Sequence, residues 1–347
     1  MRIAIIGHFG GKEKLTDGQT VKTVTLYESM RQANLLNGKI DKVDTYYIKR
    51  SPVYFILQFC SCIFRDKKII VLLSENGRKV LFPLLYFAVI FLRKQVYHYA
   101  IGGKLADEVK QNSKWKRYVL SFQGNWMESR SLVTKLRAQD VTNAFYVPNF
   151  KRLPKHSLYD LPNVVGEPYK FCTFSRVMEE KGITDAINAI VGINQKVGRK
   201  VAMLDIYGPV APEYKDAFEE LISGSNGSCS YGGIIAPEKS ADVLKNYYML
   251  LFPTFWKAEG MPGTIIDTLS AGLPVIARRW SYCDEMLADH KTGYIYNEDE
   301  PEKLIDCIDY AINNVEETIA MKSNCLEKAK EYSEQNIISK IKKLLEL

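Results

Sequence analysis

One segment, Leu251–Arg279, constrains the fold of this chain more than any other, because it alternates apolar runs with glycines and prolines. The pattern predicts a buried strand that ends at Pro253, then a loop, then a short helix over Thr264–Ala271. Gly272 lies just past the helix, and Leu273–Ala277 predicts the next buried strand. A strand, a helix and a strand in such close succession are typical of an α/β domain with a parallel sheet.

The loop before this helix has the features of a ligand site. Its glycines let the backbone approach a ligand, and free N–H groups at the positive end of a helix suit an anion such as a nucleotide phosphate. Glu259 and Asp267 stand eight residues apart, a spacing that lets both carboxylates face one cleft and bind a polyhydroxylated ligand. We therefore expect ligand contacts from these two acids and from the loop residues Gly260, Met261, Pro262, Gly263 and Thr264.

These residues resemble the donor-site motif of family 4 of the retaining glycosyltransferases, E-G-x-P-x-x-x-x-(E/D)-x-x-x-x-G-x-P-V. The motif stands here as Glu259 to Pro262, Asp267, and Gly272 to Val275. The resemblance implies the GT-B fold, with Glu259 contacting the transferred sugar and Asp267 the ribose hydroxyls. Glu is usual at the second acidic position, and the reach of Asp267 is shorter by one methylene, which bears on donor affinity and nucleotide choice. An ordinary turn of a Rossmann domain is the alternative.

A second motif follows the strand predicted over residues 170–174. Ser175 to Gly182 resembles the G-R-x-x-x-E-K-G motif of the same family, with Ser175 where Gly is usual. The resemblance implies that Arg176 and Lys181 neutralise the donor diphosphate, Arg176 through its planar fork and Lys181 as a point charge. A solvated charged turn without a ligand is the alternative.

The first half of the chain carries weaker signals. Residues 2–6 predict an apolar strand, and a glycine-rich turn with Gly10 and Gly11 follows, as at the start of a nucleotide-binding βαβ unit. Thr20–Leu36 predicts a helix that stops at Asn37-Gly38. In the resembled family this turn faces the phosphates and sugar of the donor, so Gly10 and Gly11 are candidate donor-binding residues. A turn without a ligand is the alternative.

Gln95–Ala100 predicts a strand that runs into the turn Ile101-Gly102-Gly103. A histidine on the catalytic side often follows the corresponding strand in the resembled family, and its capsule and exopolysaccharide members tend to carry such a turn. His98, Gly102 and Gly103 are therefore candidate contacts to the acceptor or the sugar. His98 stands within the strand itself, so a buried, hydrogen-bonded histidine is the alternative.

The length of 347 residues suggests two domains. Val147–Phe150 resembles the segment that closes the first domain in the family, so we predict an acceptor-side Rossmann-like domain over residues 1–150. Residues 151–168, rich in Pro, Lys and Asn, predict a linker, and residues 169–331 predict a donor-binding Rossmann-like domain. The last stretch, residues 332–347, is expected to form a helix that crosses back onto the first domain, as GT-B proteins do.

The second domain repeats the pattern of short strands and helices. Strands are predicted over residues 201–207 and 231–235, where Gly208 and Gly232 would frame the nucleobase according to the resemblance. Further helices are predicted over residues 241–248 and 281–287. The predicted fold class is therefore α/β, with two doubly wound domains that face each other across a cleft, as the GT-B resemblance implies.

Cysteine usage and missing sequence motifs limit the kinds of site that this chain can form. The seven cysteines are odd in number and form no C-x-x-C pair, which favours reduced cytosolic thiols over a disulfide framework or a zinc site. The N-terminus enters a strand at once and shows no signal-peptide segment. No D-x-D pair is present where a metal would bridge a diphosphate, and the resemblance implies that no metal or other cofactor is needed.

Charge is distributed unequally between the halves. Residues 1–150 hold 24 Lys and Arg against 11 Asp and Glu, a net charge of +13, whereas residues 151–347 hold 23 against 29, a net charge of −6. Two apolar segments of 13 residues, 52–64 and 80–92, are bounded by Lys and Arg and are too short to span a bilayer. They are either two core helices or an apolar, basic-rimmed face that docks on anionic lipid.

Together these signals predict a retaining hexosyltransferase that uses a nucleotide-diphosphate sugar, with a UDP-sugar favoured. We expect a lipid-linked saccharide acceptor in capsular or exopolysaccharide assembly, an anionic membrane surface as partner, and no nucleic-acid partner. The expected location is the cytoplasm, peripheral on the inner face of the membrane. The alternatives are another GT-B enzyme such as a sugar-nucleotide epimerase, a nicotinamide dehydrogenase, and a non-catalytic glycosyltransferase-like subunit.

Overall fold

The computed structural model describes residues 2–13, 17–33, 39–154, 156–257, 259–297, 299–300 and 302–346. The chain divides into two units, Met1–Lys151 with Glu334–Leu347, and Arg152–Ser333. Each unit is a parallel sheet with helices, so the predicted α/β class is confirmed. Among the described residues, no helix combines the length and the apolar character that crossing a bilayer requires.

The sheet of the first unit has six strands in the order β2-β1-β3-β4-β5-β6, and every pair is parallel. Its strands are β1 (Ile3–Gly7), β2 (Ile40–Asp44), β3 (Lys68–Leu72), β4 (Gln95–Tyr99), β5 (Gly124–Met127) and β6 (Ala144–Tyr146). Since β2 and β3 lie on opposite sides of β1, the strand order reverses between β1 and β3. Ligands of doubly wound sheets bind at the carboxyl ends of strands beside such a reversal.

The helices of the first unit are α1 (Gly18–Gln32), α2 (Tyr47–Arg50), α3 (Pro52–Arg65), α4 (Glu75–Leu92), α5 (Leu105–Gln111), α6 (Ser113–Ser121) and α7 (Arg130–Arg137). Helix α1 begins two residues before the predicted Thr20, because Asp17 caps it by accepting the N–H groups of Gln19 and Thr20. The predicted stop of this helix at Asn37-Gly38 lies outside the described residues. Helix α4 begins at Glu75, one polar turn before the predicted apolar segment.

The C-terminal helix of the chain lies in the first unit. Its apolar residues Ile337, Ile338 and Ile341 are buried in one core with Ile3 and Ile5 of β1. The chain therefore closes the first hydrophobic core with a segment that the sequence places more than 300 residues away.

The sheet of the second unit has six parallel strands in the order β12-β11-β10-β7-β8-β9. They are β7 (Tyr169–Phe174), β8 (Ala202–Tyr207), β9 (Cys229–Gly233), β10 (Met249–Phe252), β11 (Val275–Arg278) and β12 (Gly293–Tyr296). The strand order reverses between β7 and β10. The strand predicted over residues 231–235 is displaced to β9, because it pairs with β8 from Cys229 onward and Ile234 is exposed beyond its end.

The helices of the second unit are α8 (Ile183–Val197), α9 (Lys215–Gly224), α10 (Ser240–Leu244), α11 (Gly263–Ser270), α12 (Cys283–Met286), α13 (Lys303–Asn313) and α14 (Val315–Ala329). The C-terminal helix described above, which belongs to the first unit, is α15 (Glu334–Leu344). The helix predicted over residues 241–248 ends at Leu244, because the N–H of Tyr248 already bonds to Lys170 at the start of the sheet. The helix predicted over residues 281–287 is shortened to α12.

The predicted linker, residues 151–168, lies largely within the second unit, which begins at Arg152. Leu161 packs against Gly272, just past α11, and the Pro162 carbonyl accepts a hydrogen bond of 3.4 Å from Lys322. These contacts fasten the segment to the side of α11 and α14.

Candidate active site

The two predicted donor motifs meet at the strand reversal of the second sheet. Arg176 and Lys181 follow the carboxyl end of β7, and Glu259 follows that of β10, the neighbouring strand. Lys181 forms a hydrogen-bonded ion pair with Glu259, although the two residues are 78 positions apart in the chain. The pairing of the strands thus brings the motifs together where a doubly wound sheet binds its ligand.

The ion pair of Lys181 and Glu259 is largely shielded from water, with side-chain exposures of 16% and 9%. Such a pair is strengthened by the low dielectric of its surroundings. The Oγ1 of Thr254 contacts the same oxygen of Glu259, Oε2, at 3.1 Å. Lys181 and Thr254 therefore hold the Glu259 carboxylate in one orientation.

Thr254 is a centre of hydrogen bonds between the two motif loops. Its hydroxyl also lies 3.2 Å from the Glu180 carbonyl and accepts the N–H of Trp256 at 3.3 Å. The Thr254 side chain is almost completely buried. Since a hydroxyl has a single hydrogen, it can donate either to Glu180 or to Glu259 at one time. Thr254 therefore links the turn that carries Lys181 to the orientation of Glu259.

The backbones of the two motif loops are in close contact. The N–H of Phe255 donates to the Glu180 carbonyl at 3.0 Å. Gly182 has a left-handed backbone, with φ of 71°, and a Cβ at this position would lie 2.2 Å from the Pro253 carbonyl oxygen. Only glycine allows this approach, which sets the separation of Lys181 from the loop that carries Glu259.

The loop after Glu259 is anchored at both ends. The indole Nε1 of Trp280 donates to the Gly260 carbonyl at 2.9 Å, and the Thr264 hydroxyl donates to the Phe174 carbonyl at 2.9 Å. Pro262 stands at the N-cap position of helix α11 without a capping hydrogen bond, and Gly263 begins the helix, so its first N–H groups lie at the carboxyl edge of the sheet. The side chain of Thr264 fastens the helix, and its predicted ligand contact would come from its backbone.

The remaining predicted donor residues differ in exposure. Met261 and Asp267 are almost completely buried, Asp267 on the second turn of α11, and both are engaged within the protein. The side chain of Arg176 is 54% exposed, and its guanidinium lies 3.9 Å from the Glu213 carboxylate. At this distance and exposure the pair is weak, so the charge of Arg176 is available to an anionic ligand.

Gly208 and Gly232 lie at the carboxyl ends of β8 and β9. A Cβ on Gly208 would lie 1.8 Å from the Ser175 carbonyl oxygen, and one on Gly232 would lie 2.1 Å from the ring of Tyr207. Both glycines therefore have a packing reason within the protein. The framing of a nucleobase at these edges stays a prediction.

The glycine-rich turn of the first unit is organised around an internal carboxylate. The N–H groups of Phe9 and Gly11 donate to Asp44 at 2.9 and 2.8 Å, and the N–H of Tyr46 donates at 2.9 Å. Asp44 ends β2 and is buried. A carboxylate of the chain itself thus occupies the position where the turn would bind an anion, and the Gly11 N–H is not available to a phosphate. Gly10 lies in the same turn.

His98 lies in the core of the first unit. Its side chain has no exposed surface, and the ring of Phe82 packs edge-on against it at 5.0 Å. Burial, and then the cations Arg78 and Lys22, hold the pKa of His98 well below its ordinary value. His98 is therefore buried, as in the alternative interpretation, but neither ring nitrogen has a hydrogen-bond partner among the described residues, and the side chain offers no surface to a saccharide.

In the turn of Gly102 and Gly103 the first glycine is exposed and the second half-buried, and two buried cations hold the carbonyls before it. Lys22 donates to the Ala100 carbonyl at 2.7 Å and to Glu128 at 2.6 Å. Burial is the main cause that lowers the pKa of Lys22, and Glu128 opposes it.

Arg78, also buried, approaches the Ile101 carbonyl at 3.4 Å and bonds to Glu108 through two nitrogens. Each cation is paired with a carboxylate, as buried charges require. Lys22 and Arg78 therefore hold in place the two backbone carbonyls that precede this turn.

Comparison with known proteins is consistent with this geometry. Residues 168–314 match the family described as Glycosyl transferases group 1. An uncharacterized glycosyltransferase of Methanocaldococcus jannaschii is 25% identical over 294 residues, which cover 76% of this chain and 68% of the relative. The chain is a glycosyltransferase.

Two further comparisons extend over most or all of the chain. The crystal structure of HepE from Anabaena in complex with UDP superposes with a TM-score of 0.72 at 13% identity, over 100% of both chains. The fold of this glycosyltransferase is therefore GT-B, as predicted. An uncharacterized 41.2 kDa protein in the cps region of Klebsiella pneumoniae is 22% identical over 305 residues, which cover 86% of this chain and 77% of the relative.

Sequence reasoning missed three residues that contact the candidate site residues or the backbone beside them: Thr254, Lys22 and Glu128. Thr254 lies two residues past the end of β10, and Glu128 directly follows β5, so their positions near strand ends were the available signal. Their partners come from distant segments and leave no local pattern. In the part of the chain that the structure describes, no group of three or more His, Cys, Asp or Glu side chains is arranged to hold a metal ion.

Proposed function

We propose that this glycosyltransferase transfers a sugar, with retention of configuration, from a nucleotide-diphosphate sugar to a lipid-linked saccharide. A UDP-sugar is the favoured donor, because the structurally similar HepE was crystallised with UDP. The observation that carries the proposal is the pairing of Lys181 with Glu259 at the strand reversal, with the exposed Arg176 on the same loop as Lys181. This arrangement combines cations for a diphosphate with a carboxylate for sugar hydroxyls.

In the proposed reaction the bond between the anomeric carbon and the diphosphate oxygen breaks, and the acceptor oxygen bonds to that carbon on the same face. The acceptor proton passes to the leaving diphosphate. Arg176, Lys181 and the first N–H groups of α11 stabilise the charge that develops on this group. Glu259 accepts hydrogen bonds from the transferred sugar, and Asp267 from the ribose. Because side-chain cations and N–H groups neutralise the diphosphate, we propose that no metal is required.

The donor proposal is tested by thermal shift with UDP-, GDP- and ADP-sugars. A ligand at one hundred times its Kd adds about 2.7 kcal/mol to the free energy of unfolding, which raises the melting temperature measurably. We expect the largest rise with a UDP-sugar and a much smaller one in Lys181→Ala. Absence of a shift with every nucleotide sugar would contradict the proposal, and conversion of the donor sugar without an acceptor would indicate an epimerase.

The proposed acceptor is membrane-bound because of the surface that α3 and α4 present. Each helix buries one face in the first unit and exposes large apolar side chains on the other. The exposed residues are Val53, Tyr54, Ile56, Leu57 and Phe64 on α3, and Val80, Leu84, Phe87, Ile90 and Phe91 on α4. An exposed apolar surface of this extent is uncommon on a soluble monomer and marks an interaction site.

Charge favours an anionic bilayer as the partner of this surface. Residues 1–150 carry a net charge of +13, and basic residues stand at the ends of both helices: Lys49, Arg50, Arg65, Lys67, Lys79, Arg93 and Lys94. Each basic residue near an anionic membrane contributes about 1 kcal/mol, and the apolar side chains enter the interface. Nucleic acid would be bound by a basic surface without such an apolar centre.

We therefore propose a peripheral protein on the cytoplasmic face of the membrane that acts in capsular or exopolysaccharide assembly. The relative encoded in the cps region of Klebsiella pneumoniae supports this role. A surface that docks beside the bilayer would give the enzyme access to an acceptor that cannot leave it.

Vesicle co-sedimentation tests the membrane proposal, with anionic and neutral lipid at about 0.05 M and about 0.5 M salt. Wild type should sediment with anionic vesicles at low salt and lose binding at high salt, and Phe64→Glu with Phe91→Glu should abolish it. Ile234→Glu, which changes an equally exposed apolar residue of the second unit, is the matched control and should bind as wild type. Equal recovery with neutral lipid, or no binding at low salt, would favour a soluble acceptor.

A further inference from the structure

Three side chains at the start of the first unit form a continuous hydrogen-bonded chain. The Oδ1 atom of Asp17 accepts the N–H groups of Gln19 and Thr20, both at 3.1 Å, and so caps α1. Its second oxygen, Oδ2, accepts the Thr20 hydroxyl at 2.6 Å. The Thr20 oxygen lies 2.7 Å from Nδ1 of His8. Thr20 is buried, whereas Asp17 lies at the surface.

The direction of these bonds sets the tautomer of His8. A carboxylate accepts hydrogen bonds and does not donate them, so the single hydrogen of the Thr20 hydroxyl points to Asp17. The Thr20 oxygen can then only accept, and Nδ1 of His8 must carry the hydrogen. In the neutral ring this leaves Nε2 as a lone-pair acceptor. Free imidazole side chains in water prefer the opposite tautomer, with the hydrogen on Nε2.

His8 occupies a position where a substrate group would arrive. It directly follows Gly7, the last residue of β1, beside the reversal of strand order between β1 and β3. The turn after it is held by Asp44, and the ring of Tyr46 packs edge-on at 5.9 Å from the His8 ring. The ring is partly exposed, and no hydrogen bond joins Nε2 to any residue that the structure describes.

We propose that Nε2 of His8 accepts a hydrogen bond from a hydroxyl group of the acceptor saccharide, with Thr20 and Asp17 as positioning residues that fix its tautomer. The inference rests on the proposed function and on the expectation that the first domain binds the acceptor. The contact is to a hydroxyl other than the attacking one, because the attacking hydroxyl gives its proton to the leaving diphosphate. His8 therefore determines the affinity for the acceptor and its selection, and is not a general base.

The tautomer is tested first, by NMR of the protein with ¹⁵N-labelled histidine at about pH 8. The chain has 4 histidines, and the signals of His8 are those that disappear in His8→Gln. Nδ1 should carry the hydrogen in wild type and in Thr20→Ser, whereas Thr20→Val, of similar shape, should shift His8 towards the Nε2–H form. A wild-type His8 with its hydrogen on Nε2 would overturn the proposed hydrogen-bond chain.

Steady-state kinetics tests the contact, with the donor that the thermal shift selects and a panel of octyl glycosides as acceptor probes. His8→Ala and His8→Asn should raise the KM for the best probe about tenfold, the loss expected for one hydrogen bond, while kcat and the donor KM change little. His8→Gln places an amide near the position of Nε2 and should recover much of the affinity. Thr20→Val should resemble His8→Asn, and Thr20→Ser should resemble wild type.

Three outcomes would overturn the inference: an unchanged acceptor KM in His8→Ala, a rise in the donor KM instead, or a fall of kcat by about a hundredfold or more, as loss of a general base causes. Thermal melts of each variant verify that it is folded. If wild type transfers no sugar from any donor to any probe, the proposed function fails, whereas the NMR result still tests the hydrogen-bond chain itself.

Discussion

Replacing Thr254 by Val tests how the Glu259 carboxylate is held. The two side chains have nearly the same shape, so the substitution removes the hydroxyl without opening a cavity. The hydroxyl contacts Glu259 Oε2 at 3.1 Å and accepts the Trp256 N–H at 3.3 Å. In the variant, Lys181 would remain on the Glu259 carboxylate without the Thr254 hydroxyl beside it, and the Trp256 N–H would lose this acceptor.

The expected magnitudes follow from these contacts. A hydrogen bond to a charged group contributes about 1.5–3 kcal/mol to stability. Because the Thr254 hydroxyl has one hydrogen, only one donated bond is lost in Thr254→Val, and we expect the free energy of unfolding to fall by roughly 1–3 kcal/mol. A carboxylate that is free to rotate should lower kcat about 10- to 100-fold, which corresponds to about 1.4–2.7 kcal/mol of barrier. Thr254→Ser keeps the hydroxyl and deletes one buried methyl group, which costs about 1 kcal/mol of stability.

The assay compares thermal melts and turnover of the donor in wild type, Thr254→Val and Thr254→Ser. Both variants should melt a few degrees lower, roughly 2–6 °C, whereas only Thr254→Val should lose turnover. Equal turnover in Val and Ser variants of comparable stability would refute the argument that the hydroxyl orients Glu259. Equal loss in both would mean that the methyl group, and not the hydrogen bond, sets the geometry.

Further predictions concern charge at the donor site and in the core. Arg176→Ala and Lys181→Ala should each leave the protein folded and lower the rate of donor turnover about 100- to 1000-fold, because the activation barrier rises by about 2.7–4 kcal/mol. Wild-type rates in either folded variant would contradict the role of that residue at the diphosphate. Glu259→Ala should abolish transfer. Asp267→Glu should still bind UDP, measured by calorimetry, but its free energy of unfolding should fall by about 1–3 kcal/mol because the added methylene is buried. A loss of UDP binding as severe as in Asp267→Ala would indicate a pocket built around the shorter side chain. Burial holds the pKa of His98 well below its ordinary value, so the folded protein keeps this ring neutral while the unfolded chain takes up a proton below about pH 6.5. Stability should therefore fall as the pH drops below about 6.5, with a slope approaching 1.36 kcal/mol per pH unit, and His98→Gln should show a flatter dependence in urea unfolding. An unchanged dependence would place the titration elsewhere.

The donor motifs were predictable because their signal is local. Glycine, proline and acidic residues at fixed spacings indicate where β10 ends, where the loop lies and where α11 begins. In the structure each of these elements lies within one or two residues of its predicted position. The turn from Arg176 to Gly182 was predictable for the same reason, and Gly182 has the left-handed backbone that its position before α8 requires. Periodicity and turn chemistry act over a few residues and can be read without the fold.

Interactions across the sheets could not be predicted in this way. The sequence left open whether the apolar segments on α3 and α4 are core helices or a lipid-docking face, and the structure shows that each helix has one buried and one exposed face. The exposed face became apparent only when the sheet showed which side chains have neighbours.

The sequence alone determined the α/β class, the two donor motifs and the unequal distribution of charge, because these depend on residue type and on spacing along the chain. The tertiary structure decided what each polar group contacts. It placed His98 in the core, gave the N–H groups of the glycine turn to Asp44, and joined Thr254 to Glu259 and Lys181. Strand order brings together loops that are distant in sequence, and the short range of hydrogen bonds then selects partners that no local pattern records.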